Sequence, residues 1–361
     1  MIPKYQKIAD LLRAQLTGEN RMQMMKLPTE KELCALYGVS RQTVRQALHL
    51  LEDEGLIERR QGSGAYATGL HPDSSHNQIA ILLPTDSDYT YARLRSELQA
   101  PLTKEGFAVS FFLTGYSVSK ERQILQQLLE LPLRGLIVDT VKSALPNPNL
   151  DLYDKLWANQ LPTVFLHAPY LNFPTRPVIT EENFSGAAQL VQYLCEQKHT
   201  HIAGIFQNDT AAGMERYLGF ATQSARAGIP WDDAHICWYS SCELAALQKK
   251  QDTGFLTDFI RQKLGACSAV ICQDDEIAYW LVKELLRAGK HVPEDVSVAG
   301  FDNSYLCDFS LPGLTSLTCK NGLNMASAAT EALLTQMRGG QASSVSLRFE
   351  LIERGSCASL V

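Results

Sequence analysis

Residues 38–68, GVSRQTVRQALHLLEDEGLIERRQGSGAYAT, decide how the amino-terminal part of this chain folds. Ser40 is placed to cap a helix with its side-chain oxygen. Val39 and Val44 stand at the N′ and N4 positions of a hydrophobic staple. Val44, Ala47, Leu48 and Leu51 then recur at i, i+3, i+4 and i+7 and make one inward stripe. Arg41, Gln42 and Arg45 fall off that stripe, onto a face left for water or a partner. Gly55 is the expected stop, because glycine takes the left-handed C′ conformation without a Cβ penalty. After it, Leu56–Arg60 and Ala65–Ala67 read as short strands joined by a Gln61-Gly62-Ser63-Gly64 turn.

Working outward, Pro3 suits the first turn of a helix. Tyr5, Ile8, Leu11, Leu12 and Leu16 give that helix its apolar face. Thr29 and Glu32 have capping-box spacing, so a second helix starts there, with Leu33, Leu36 and Tyr37 facing inward. Helix, capped helix, turn, capped helix and basic hairpin, in that order, predict a winged helix-turn-helix over residues 1–68. Its candidate DNA contacts are Lys31, Ser40, Arg41, Gln42, Thr43 and Arg45 with the wing Gln61, Gly62, Ser63 and Gly64. Arginine can read guanine bidentately, whereas Lys31 and the wing backbone suit phosphates or the minor groove. Residues 69–77, GLHPDSSHN, hold turn formers without periodicity and read as a linker.

From residue 78 onward, short apolar runs alternate with helical patterns. Strands are expected at 79–83, 107–113, 135–139, 163–166, 201–206, 235–238, 269–272 and 296–301. Helices are expected at 91–104, 120–131, 150–159, 184–196, 214–227, 253–264, 275–288 and 324–337. Fully apolar strands between helices mean parallel sheets covered on both faces. The repeated units exceed one comfortable doubly wound sheet, so residues 78–361 are expected to form two lobes. In such sheets ligands bind beyond the carboxyl ends of the strands.

Composition narrows the function. With 361 residues, 45% hydrophobic and 20% charged, the chain suits two or three globular domains. Residues 1–70 carry ten Lys/Arg and eight Asp/Glu; the remainder carries 23 and 31, a mildly basic head on an acidic body. No apolar run is long enough to span a membrane, and the charged, amphipathic start lacks a signal-peptide core; the expected address is the cytoplasm. The nine cysteines are odd in number and scattered, which favours reduced, buried thiols. Neither G-x-S-x-G nor G-x-x-x-x-G-K-S/T occurs, and His199-Thr200-His201 lacks a third ligand for zinc. Catalysis, a cofactor and a metal are therefore not expected.

Two resemblances sharpen this. LPTEKELCALYGVSRQTVRQALHLLEDEGLIERRQGSGAYA, within residues 3–68, resembles the GntR-family winged-helix signature. That likeness implies DNA contacts at Lys31, Arg41, Arg45 and Gly62. AVICQDDEIAYWLVKELLRAGKHVPEDVSVAGFDN followed by LPGLTSL resembles the LacI/GalR effector-binding core, a periplasmic-binding-protein fold, over residues 78–355. It implies an α/β protein: an N-terminal winged helix-turn-helix plus a two-lobed effector domain with parallel sheets.

Residue by residue, the second resemblance implies that Arg216 binds effector hydroxyls or carboxylates and that Asp302 accepts from sugar hydroxyls. Asp274 stands where that family usually has Asn, so the hydroxyl pattern it reads can differ, since a carboxylate only accepts. His167 stands where Asp or Asn is commoner. Tyr89 and Tyr91 follow the first strand, where an aromatic can pack on a sugar ring, and Lys142 and Glu182 follow later strands; Tyr239 completes the candidate cleft. A GntR head on such a core is similar to sugar-responsive repressors and implies a homodimer, a double-stranded operator, and a pentose effector, L-arabinose. A regulator answering to another sugar or phosphosugar, and a sugar-binding protein without a regulatory role, are the other readings.

Overall fold

In the computed structural model, which describes residues 4–17, 27–53, 57–60, 64–67, 77–86, 89–170, 176–230 and 232–360, Val44, Ala47, Leu48 and Leu51 are all buried. They line one side of α3 (Arg41–Asp53) and close on Ile8 and Leu12 of α1 (Lys4–Thr17) and Leu33 of α2 (Glu30–Tyr37). Full burial of such a side chain contributes about 1.5–3 kcal/mol, and a head this small has few of them. The Thr29–Glu32 capping box forms in both directions, and the Ser40 hydroxyl accepts from the Thr43 amide at 3.2 Å. The hairpin pairs β1 (Ile57–Arg60) antiparallel with β2 (Gly64–Ala67). Gly55, the wing residues Gln61, Gly62 and Ser63, Thr68, and 69–76 of the linker lie outside the described residues.

The chain divides into two compact units, Met1–Gln78 with Glu105–Ala108, and the rest. The second unit holds two six-stranded sheets. One contains β3 (Gln78–Leu83), β4 (Ala108–Leu113), β5 (Leu133–Asp139), β6 (Thr163–Leu166), β7 (Val178–Glu181) and β13 (Val345–Leu347), in the order β13-β7-β6-β5-β3-β4. The other contains β8 (Ile202–Gln207), β9 (Ile236–Tyr239), β10 (Ala269–Cys272), β11 (Ser297–Phe301), β12 (Thr315–Cys319) and β14 (Phe349–Ile352), in the order β14-β12-β11-β10-β8-β9. All its neighbours pair in parallel except β12 with β14.

Helices α4 (Tyr89–Lys104), α5 (Val118–Leu129), α6 (Leu150–Ala158) and α13 (Met325–Met337) belong to the first lobe. The second lobe has α7 (Asn183–Glu196), α8 (Ala211–Arg226), α9 (Ser241–Lys250), α10 (Gly254–Gln262), α11 (Asp275–Arg287) and α12 (Leu306–Phe309). The chain passes between lobes three times: from β7 into α7, from β12 into α13, and from β13 into β14.

The apolar, fully buried central strands and most helices sit where periodicity puts them, within a few residues. Strands β7, β12, β13 and β14 and helices α9 and α12 are additions. The strand sequences explain the silence: VITE, TSLTC, VSL and FELI mix polar and apolar residues because they lie near a sheet edge or run into the cleft.

Candidate functional site

Strand ends of both lobes point at one cavity of about 390 Å³. Asp139 is the last residue of β5 and Glu181 the last of β7. His167 follows β6 directly, Asp302 follows β11, and Asp274 caps α11 after β10. All five line the cavity, with Tyr91, Lys142, Arg216, Gln273 and Glu276. Lys142, His167 and Asp302 hold positive φ angles of 51°, 61° and 91°. Non-glycine residues pay for that conformation and keep it where the surroundings impose it, commonly at ligand sites.

Arg216 is the centre of the wall and only 4% exposed. Thr210 caps α8 through the Gly213 amide, which brings Arg216 to the cavity one turn later. Its Nε donates to Asn183 Oδ1 at 2.8 Å and its Nη1 to the Gln273 carbonyl. Nη2 lies 3.3 Å from Glu181 Oε2 and 3.7 Å from Asp302 Oδ1. The guanidinium rests on the Phe301 ring, 4.1 Å from its centroid. Burial raises the Asp302 carboxyl to about 7, against the pull of Arg216, with Glu181 adding repulsion. Burial likewise raises Asp274 to about 6, Asp302 adding to it.

Opposite, Asp139 accepts from the Tyr91 hydroxyl and sits 3.1 Å from His167 Nδ1. Burial pulls the imidazole down, but the charge and hydrogen bond of Asp139 outweigh it and raise His167 to about 9. The ring is therefore a cation at neutral pH and donates from both nitrogens. Because the folded value lies above the unfolded 6.5, its stabilisation is complete below pH 6.5 and is lost as pH rises through 9. The His167 ring protons followed by NMR should show no midpoint between pH 6 and 8, and Asp139→Asn should bring the midpoint down into that window; a wild-type midpoint near 6.5 would contradict this geometry.

The other candidates divide. Lys142 lines the cavity with its Nζ 3.8 Å from Asp209 Oδ2 of the second lobe. Glu182 faces elsewhere, taking hydrogen bonds from Ser185 Oγ at 3.1 Å and Arg348 Nε at 3.3 Å; its neighbour Glu181 is the one in the cavity. Tyr239 is buried and stacked on Phe255 with centroids 5.2 Å apart, behind the wall rather than in it. Tyr89 opens α4, and its side chain is outside the described residues. Asp139, Glu181, Gln273 and Glu276 were not anticipated. Asp139 could have been found as the polar end of an apolar strand.

In the head, Lys31, Ser40, Arg41, Gln42 and Arg45 form an exposed face, with Thr43 half-buried beside Ser40. Glu30 holds both arginines: Arg41 Nε lies 3.0 Å from its Oε2, and Arg45 Nε 3.0 Å from its Oε1. The two arginine side chains remain 70% and 61% exposed, so the pairs organise them without hiding them. Gly64 begins β2.

Residues 4–66 match the family of bacterial regulatory proteins called gntR, and residues 191–357 match the periplasmic binding protein-like domain. An arabinose metabolism transcriptional repressor of Geobacillus stearothermophilus is 29% identical over 84% of this chain and 82% of its own. One from Halalkalibacterium halodurans is 28% identical over 81% and 78%. Among solved structures, the transcriptional regulator CelR in complex with cellobiose superposes with a TM-score of 0.67 at 20% identity, over 91% of this chain and all of its own. That last likeness is one of fold.

Proposed function

The chain is a transcriptional regulator that joins a GntR-family regulatory domain to a periplasmic-binding-protein-like domain, and we propose that it represses genes of pentose utilisation, with L-arabinose as the effector that releases it from operator DNA. The supporting observation is the pairing of charges in the cavity. Among the described residues, every cation in the wall already has a carboxylate: Arg216 has Glu181 and Asp302, His167 has Asp139, Lys142 has Asp209, and Arg93 has Glu97. Asp274 and Glu276 add negative charge. A phosphate would find no unspent cation there. A neutral polyhydroxyl ligand fits, because its hydroxyls can donate to the carboxylates and accept from Arg216 and His167. The names of the two arabinose repressors support the choice of sugar.

In this reading two copies present their winged helices to a roughly palindromic operator, the symmetry of protein and site matching. Sugar between the lobes favours one lobe arrangement and weakens operator binding by a coupling of about 1–3 kcal/mol, a 5- to 150-fold change.

Calorimetry with L-arabinose, D-xylose, D-ribose, D-glucose and D-ribose 5-phosphate tests the ligand class. L-Arabinose should bind and the phosphosugar should not. Binding of the phosphosugar with no response to any pentose would overturn the assignment.

A further inference from the structure

Glu121, on α5, is fully buried, and among the described residues no cation is paired with it. Four neutral donors satisfy it instead. Its Oε2 takes Asn147 Nδ2 and Asn149 Nδ2, each at 2.8 Å. Its Oε1 takes the Tyr153 hydroxyl at 2.8 Å and the Tyr170 hydroxyl at 2.6 Å. One carboxylate thus ties together α5, the loop after β5, the start of α6 and the segment after β6. A buried charge held by several donors is costly to leave half-satisfied, so the arrangement is stiff.

What this stiffness holds is the cleft. A hydroxyl has a single proton. Tyr170 spends its proton on Glu121 and so presents a lone pair to the Val141 amide, 2.7 Å away. Burial and the Glu121 charge keep this phenol protonated far above its usual range. Val141 precedes Lys142, whose φ is positive. Immediately beyond, the chain reaches the second lobe: the Ala211 amide donates to Ser143 Oγ at 2.9 Å and the Ala144 amide to the Asp209 carbonyl at 3.3 Å. Ala211 begins α8, the helix of Arg216. Thr140 Oγ1 donates to the Ala168 carbonyl at 3.1 Å, joining this loop to the residue after His167.

We propose that Glu121, which does not line the cavity, is a positioning residue for it. Through Tyr170 it sets the Val141–Ala144 turn, and through that turn it fixes how the first lobe grips the start of α8. The ligand part of the test rests on the sugar reading given above; the rest does not.

The experiment is amide hydrogen exchange on the ligand-free full-length protein, wild type against Tyr170→Phe and Glu121→Gln. The phenylalanine removes the relay and leaves Glu121 its other three donors. The glutamine turns one acceptor oxygen into a donor and strands two of the four. Exchange at Ala144 and at Ala211, in the other lobe, should rise about tenfold in both variants, the factor one net hydrogen bond is worth, while the β5 and β6 strand amides stay as in wild type. L-Arabinose affinity by calorimetry should fall by a similar factor in Tyr170→Phe. Unchanged exchange at Ala144 and Ala211 would overturn the proposal and leave Glu121 a packing residue. So would a uniform rise through β5 and β6. Wild type that ignores L-arabinose while the exchange pattern holds would overturn the sugar reading and support the positioning role.

Discussion

Arg216→Ala should abolish the effector response while operator binding survives. The side chain holds two elements of the second lobe, through the Asn183 amide and the Gln273 carbonyl, and faces two carboxylates, Glu181 and Asp302. Those carboxylates are 14% and 22% exposed, so without the guanidinium they repel each other with little solvent between. Removing one partner of such a buried set costs on the order of 3–5 kcal/mol. For a unit of this size that corresponds to a melting-temperature fall of roughly 6–20 °C. Asp302→Asn is the companion variant. It keeps the shape, removes a charge that burial already disfavours, and leaves Arg216 its bond to Glu181. Its stability should change little, while sugar affinity falls roughly 10- to 100-fold, the value of one or two charged hydrogen bonds. Normal induction by either variant would show that the effector binds elsewhere.

Gly219→Ala is expected to damage the same site without touching it. A Cβ built on Gly219 would lie 2.1 Å from the Phe184 carbonyl oxygen and 2.9 Å from its carbon. These are backbone atoms of α7, so no side-chain rotation relieves the clash, and α8 must move away. Overpacking of this kind costs about 1–3 kcal/mol, sometimes more. Arg216 sits one turn earlier on α8, and its partner Asn183 opens α7. Separating the helices therefore stretches the bond between them. Thermal melts and sugar calorimetry should register a lower melting temperature together with weaker binding. A variant that melts and binds like wild type would contradict the close helix packing.

Much of this could be read from residue order, and the exceptions have physical causes. The stripe and caps of the head were readable because they are local signals that agree with one another. Arg216, Asp302 and His167 were readable from the family resemblance around them, and Lys142 from its place after an apolar strand. Glu181 was not, because VITE has too little alternation to announce β7. Without that strand's register, the choice between Glu181 and Glu182 is undetermined, since a shift of one residue exchanges the two faces. Tyr239 poses the same problem in reverse: an aromatic at a strand end can face the cleft or the core, and here Phe255 covers it. Glu121 left no trace, as a glutamate in the first turn of a helix ordinarily faces water. Its four donors come from residues 26 to 49 positions away.

The central claim is that one chain couples operator binding to a sugar in this cleft. Fluorescence anisotropy of labelled DNA from upstream of the protein's own gene, with and without L-arabinose, tests it directly. Salt must be held fixed, because phosphate contacts make the affinity salt-dependent. The account predicts tight binding that L-arabinose weakens by about 5- to 150-fold. Tight binding indifferent to L-arabinose would contradict the proposed coupling, and no binding at all would contradict the DNA-reading role of the head.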